Sequence, residues 1–146
     1  MENRKKFTSE DVPGGFTMCS RNDCEVCNHC LRQMAFEDVG KERWSVNLAN
    51  PLKVVPTAEC EYFRTDELAT YAKGFKNMQK SMIPAQYDSF MVKLIGKFGR
   101  TGYYERRRGQ RLCSPSEIKF VRSVLQELKL PELEFDRYVQ QTNWYD

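Results

Sequence analysis

Between Cys19 and Cys30 the chain reads CSRNDCEVCNHC, which places four of its six cysteines and its only histidine within twelve residues. The start, MENRKK, is basic but is followed by no apolar core and no small-residue cleavage site, so no secretory signal is predicted and a reducing cytoplasm is the expected location. In that compartment clustered cysteines serve metal or redox chemistry more often than disulfides. A metal held here would pin the backbone at several separated points at once, and this restricts the N-terminal half more than any other feature of the chain.

Cys19, Cys24, Cys27, Cys30 and Cys60, with His29, offer more ligands than a tetrahedral zinc site uses. One solution takes Cys19 and Cys24 from a first knuckle, Cys30 from a helix start and Cys60 from farther along. A structural zinc so held would staple the module with on the order of 10 kcal/mol of apparent folding free energy. A competing solution is Cys24-x2-Cys27-x2-Cys30, the first three cysteines of a bacterial-ferredoxin run. Met34 stands where the fourth would be, so an iron–sulfur cluster would borrow Cys19 or Cys60. Metal-free buried or redox thiols are the third reading. His29, between Asn28 and Cys30, is expected to be a solvated neighbour of the site, with Cys27 and His29 as the alternatives should one of the four be displaced. Cys113 is expected to pack as a small apolar residue.

Hydrophobic periodicity predicts the elements around this cluster. Residues 1–15 are polar, end in Pro13-Gly14-Gly15 and are expected to form a flexible arm. Residues 16–64 form the Cys-rich module. Within it Leu31, Met34, Ala35 and Val39 mark a helix whose N-terminus favours a thiolate at Cys30, and RWSVNL and LKVV, around the turn signal Asn50-Pro51, predict a short hairpin. Residues 65–146 form a helical unit. One helix is expected from Thr65 or Asp66 through TDELATYAKGFKNMQKSM, and a second from Pro84 to a stop at Gly99. A third opens on the capping box Ser114/Glu117 with Pro115 in its first turn, and a short last one carries Phe135, Tyr138 and Val139, with Trp144 closing the end. The expected fold class is thus α+β: a small metal-stapled N-terminal module with a short hairpin, packed on a mainly helical C-terminal part. At 146 residues two large independent cores are not expected.

The order C-x4-C-x5-C-L-R, N-P, C-x-x-F-R (here CEYFR), Y-A-x-G-F, F-G-R-x-x-Y-Y-x-x-R-x-G-x-R, S-P-x-E and F-D-x-Y ending near a Trp runs from Cys19 to Trp144. It resembles a family of small uncharacterised bacterial proteins carrying a domain of unknown function. The resemblance implies that Cys19, Cys24, Cys30 and Cys60 are the matching set and Cys27 an extra, and it implies no established activity.

The net charge is +3, yet residues 93–111 alone hold seven cations against Glu105, a local +6 that leaves −3 for the rest. A patch of one sign on a mildly acidic body concerns a partner more than the fold. In KFGRTGYYERRRGQR arginines suit phosphates, tyrosines suit base stacking and glycines allow close approach. Candidate nucleic-acid contacts are therefore Lys97, Arg100, Tyr103, Tyr104, Arg106, Arg107, Arg108 and Arg111, on a loop or β-wing. The plainer reading is a solvated connector with arginines on surface carboxylates and tyrosines in the core. The long connection between the helices at Pro84 and Ser114 argues against a standard helix-turn-helix.

The single histidine lies inside the cysteine cluster, which removes most Ser/His and Cys/His catalytic designs, and no P-loop, Rossmann or zinc-deaminase pattern is present. No stretch approaches the ~18 apolar residues of a membrane span. The expectation is a non-catalytic, zinc-stabilised binding protein that contacts DNA or RNA through residues 93–111. The alternatives are a protein–protein adaptor docking an acidic partner, or a redox-responsive thiol protein.

Overall fold

The structure, a computed structural model that describes residues 4–146, is α+β. In chain order the elements are α1 (Leu31–Val39), β1 (Leu68–Lys73), α2 (Lys76–Lys80), α3 (Pro84–Arg107), α4 (Pro115–Glu127) and β2 (Arg137–Thr142), the two strands pairing antiparallel. The chain divides into two units: one runs to Glu67 and includes Thr142–Trp144, the other comprises Leu68–Gln141 with Tyr145 and Asp146. Among the described residues no helix is long and apolar enough to cross a membrane.

In the first unit α1 starts at Cys30, whose extended backbone (φ −98°, ψ 116°) forms the N-cap. Leu31, Met34, Ala35 and Val39 turn inward and meet Phe7, Val12, Phe16 and Met18. Trp144 sits edge-on to both Phe7 and Phe16, with ring centroids 4.9 Å from each. Residues 4–15, expected to be a loose arm, thus carry core residues. Asp38 on α1 holds them, accepting from the Arg4 guanidinium at 2.6 and 3.0 Å and from the Phe7 N–H at 2.9 Å.

The expected hairpin does not form. Leu48 makes one isolated parallel bridge to Met18, residues 51–53 turn, and Trp44, read as part of a packed face, is fully exposed. With no sheet among the described residues of this unit, arginines satisfy irregular carbonyls instead. Arg43 donates to Ser9 O and Val12 O at 2.9 and 2.6 Å, and Arg32 to Thr17 O and Tyr62 O at 2.8 and 2.7 Å.

In the second unit Phe75, Phe90, Leu94, Tyr103, Val121 and Leu125 are central to the core. The helix expected from Thr65 is instead β1 followed by the short α2, broken by Gly74 at φ 81°. A Cβ on Gly74 would lie 2.7 Å from an Asp136 carboxylate oxygen. That carboxylate caps α2, accepting from the Lys76 and Asn77 N–H groups at 3.0 and 2.8 Å. The tail expected to be helical is β2, the partner of β1.

α4 has the expected capping box: Glu117 N–H donates to Ser114 Oγ at 3.3 Å, and Ser114 N–H to Glu117 Oε1 at 3.1 Å. α3 does not end at Gly99. It kinks there (φ 75°, ψ 165°) and resumes to Arg107, so the segment expected to be a loop or wing is largely helical.

Candidate metal centre and basic segment

Short backbone links in the first unit assemble the cysteines. Cys19 N–H donates to Arg32 O at 3.0 Å, which ties it to the first turn of α1 beside Cys30. Cys30 is fixed from the other side by an antiparallel bridge to Thr65. Glu25 N–H donates to Pro56 O at 3.0 Å, bringing the Cys24 loop to the segment that leads to Cys60. Cys24 and Cys60 each open a tight turn, with Cys27 N–H on Cys24 O at 3.2 Å and Phe63 N–H on Cys60 O at 3.0 Å.

The result is one cavity of about 20 Å³ walled by Cys19, Cys24, Cys27, Cys30 and Cys60. It has room for a single water-sized occupant. All six cysteines are free thiols. Burial pushes the Cys19 thiol up, the Arg21 N–H works against this, and the sulfurs of Cys30, Cys60 and Cys24 add to the rise as like charges. Among the described residues, however, no three His, Cys, Asp or Glu side chains are drawn together as a ready metal site. The thiols share a wall without forming a coordination polyhedron.

Donor chemistry fits zinc: soft sulfur, no oxygen ligand and no disulfide competing for the thiols. Four thiolates around Zn²⁺ would leave a surplus of two negative charges, and two arginines, Arg21 and Arg32, interact electrostatically with the cluster. Arg21, paired with Asp23 at 2.7 Å, also feels Cys24 and Cys19. Arg32 is depressed by burial and by Arg64, while Cys30 and Cys19 act in the opposite sense. His29 does not line the cavity; its Nδ1 is 3.6 Å from Asp66 Oδ1, and the ring is largely exposed. Cys113 is fully buried in the second unit, where burial pushes its thiol up to about 12.

The basic segment divides by burial. Tyr103 is 0% exposed, so it packs in the core and is not available for base stacking. Tyr104 is half-buried against that core and edge-on to Tyr103. Arg106 is only 6% exposed. Its Nε and Nη2 donate to Glu117 Oε2 at 2.8 and 2.6 Å, its Nη1 to Gly102 O at 3.1 Å, and its guanidinium lies 4.2 Å from the Phe98 ring centre. Arg107 is half-buried and donates to the Gln79 side chain, whose amide in turn donates to Tyr103. Lys97, Arg100, Arg108 and Arg111 remain exposed. Of the eight candidate contacts, then, Tyr103 and Arg106 belong to the interior, and Tyr104 and Arg107 are partly withdrawn.

A family model described as a family of unknown function (DUF6078) matches residues 1–144. No curated protein and no solved structure matches the chain.

Proposed function

The chain belongs to the DUF6078 family, and we propose on its own chemistry that it is a non-catalytic binding protein whose first unit is stapled by a structural zinc ion. The observation that carries this reading is the convergence of cysteines as far apart as Cys19 and Cys60 on one ion-sized cavity. Cys19, Cys24, Cys30 and Cys60 would hold the metal, with Cys27 as a spare thiol on the same wall. When bound, zinc supplies folding free energy to a unit whose described residues hold a single α-helix and no sheet of their own. Arg21 and Arg32 balance the charge of the thiolates.

The exposed cations Lys97, Arg100, Arg108 and Arg111 form the surface offered to a polyanion, DNA or RNA being the leading class. The adaptor reading gains one observation of its own, because Trp44 and Leu52 in the first unit stand clear of any packing, at 105% and 90% exposure.

Elemental analysis of the purified protein should give about one zinc per chain. Cys60→Ser should lose the metal, and Cys27→Ser should keep it. Iron with labile sulfide, or equal loss in the two variants, would overturn the ligand set. Binding to random DNA or RNA should weaken steeply and log-linearly with salt, and an absence of binding at ~50 mM salt would remove the polyanion reading in favour of the adaptor.

A further inference from the structure

Five thiols wall the cavity of the first unit, and a tetrahedral zinc ion takes four, so one sulfur has no structural duty. The thiols that act most strongly on the Cys19 sulfur as like charges are Cys30, Cys60 and Cys24. Cys27 lies beside them on a single turn of 3-10 helix, Cys27–His29, none of whose residues is buried. Its sulfur meets the Asn28 side-chain oxygen at 3.9 Å in an exposed contact. Cys30, by contrast, is buried, caps α1 and is bridged to Thr65. An oxidant arriving from solvent therefore meets Cys27 before the thiols that a metal would cover.

Cys24 is the thiol placed to answer it. Cys27 N–H donates to Cys24 O at 3.2 Å, closing a four-residue turn over Glu25 and Val26. Such a turn holds its end Cα atoms within about 7 Å, and the span a disulfide takes, roughly 4.4–6.8 Å, lies inside that limit. Cys19 is tied instead to Arg32 O, and Cys60 opens a turn of its own toward Phe63.

Resting on the zinc reading above, we infer that Cys27 is a site of oxidation by hydrogen peroxide, and that its oxidised form expels the metal by pairing with Cys24. The Cys27 thiol takes one peroxide oxygen, giving a sulfenic acid and one water. The Cys24 thiolate then attacks that sulfur: the S–S bond forms, the S–O bond breaks, and the leaving hydroxide takes a proton from solvent as a second water. Two electrons pass from the sulfur pair to one peroxide. Three thiolates remain for zinc, the ion leaves, and the first unit loses the folding free energy that came with it. A thiol reductant reverses the step by reopening the disulfide.

The test treats the zinc-loaded full chain with hydrogen peroxide beside a chromophoric zinc indicator, and maps disulfides in unreduced digests by mass spectrometry. The parent should release its zinc as a Cys24–Cys27 link appears, and should take zinc back after dithiothreitol. Cys27→Ser should load the same zinc and release it about tenfold more slowly. Cys113→Ser, altered in the second unit, should release zinc like the parent. A purified chain with no zinc before peroxide is added removes the zinc reading, and expulsion of the metal falls with it. If zinc is present but Cys27→Ser releases it as fast as the parent, or the first disulfide formed joins other cysteines, the role of Cys27 is overturned while the zinc site stands.

Discussion

Replacing Arg106 by alanine tests whether the arginine run is one functional surface or a mixture of interior and exterior groups. The change strips Glu117 Oε2 of both guanidinium contacts, at 2.8 and 2.6 Å, while Oε1 keeps the Ser114 N–H at 3.1 Å. It also removes the cation 4.2 Å from the Phe98 ring centre. Breaking a buried pair from one side costs about 3–5 kcal/mol. Glu117 retains the Ser114 N–H bond on Oε1 and 19% side-chain exposure, which places the loss near the lower end, about 3 kcal/mol. Urea unfolding of the metal-loaded protein measures it directly, and the matching fall in Tm is roughly 6–12 °C. Adding Glu117→Gln should recover part of the loss, because glutamine removes the stranded charge yet still serves the capping box. Arg108→Ala, at an exposed position, should change stability by less than about 0.5 kcal/mol while weakening polyanion binding. If Arg106→Ala loses under about 1 kcal/mol and binds polyanion as poorly as Arg108→Ala, the division into interior and exterior arginines is wrong.

Three further outcomes are expected. Gly74→Ala should cost about 2–4 kcal/mol, from the left-handed backbone and from displacement of the Asp136 cap on α2; a double-mutant cycle with Asp136→Ala should fall short of additivity, since both changes disturb the same cap, and simple additivity would contradict this. Burial pushes the Asp38 carboxyl up, but hydrogen bonds from Arg4 and the Phe7 N–H, with the charges of Arg4 and Lys6, outweigh it and hold the group below its usual value. Its contribution is therefore present above the unfolded value near ~3.9 and is lost as pH falls through the folded value; Asp38→Asn should flatten the acid limb of a plot of urea midpoint against pH, and an unchanged limb would refute the assignment. Alkylation followed by mass spectrometry should label Cys27 first in the zinc-loaded protein and the other four cluster thiols after chelation. Cys113, buried and with its thiol near 12, should react only on unfolding, so early labelling there would contradict its placement.

What was legible in the sequence follows from how local each signal is. The capping box at Ser114 and the apolar spacing of α1 lie within single turns, and both elements stand where periodicity puts them. LATYAK and RYVQQT are different. Each becomes a strand only by pairing with the other, and the Gln140 amide reaches the Thr70 hydroxyl across the whole second unit of sequence. No window of ordinary length contains both, so locally the helical spacing of Leu68, Tyr71, Ala72 and Phe75 is the stronger signal.

The continuation of α3 was hidden for another reason. Beyond Gly99 its buried face is Gly102, Tyr103 and Arg106, a stripe with one side chain missing and one charged, which carries almost no hydrophobic signal. The cysteines that line the shared cavity stand out in the sequence by number and clustering, which are local signals, whereas the turns that bring Cys60 there in place of the expected hairpin leave no comparable pattern.

The seat of Trp144 between Phe7 and Phe16 has a consequence for synthesis. A ribosome releases the cysteine cluster, α1 and both phenylalanines long before it makes residues 142–144, so the first unit emerges with its aromatic keystone still untranslated. Order there is completed in reverse of translation: the earliest segment to leave the exit tunnel is among the last to be sealed, because the aromatic seat of Phe7 and Phe16 is filled only by a residue made near the end.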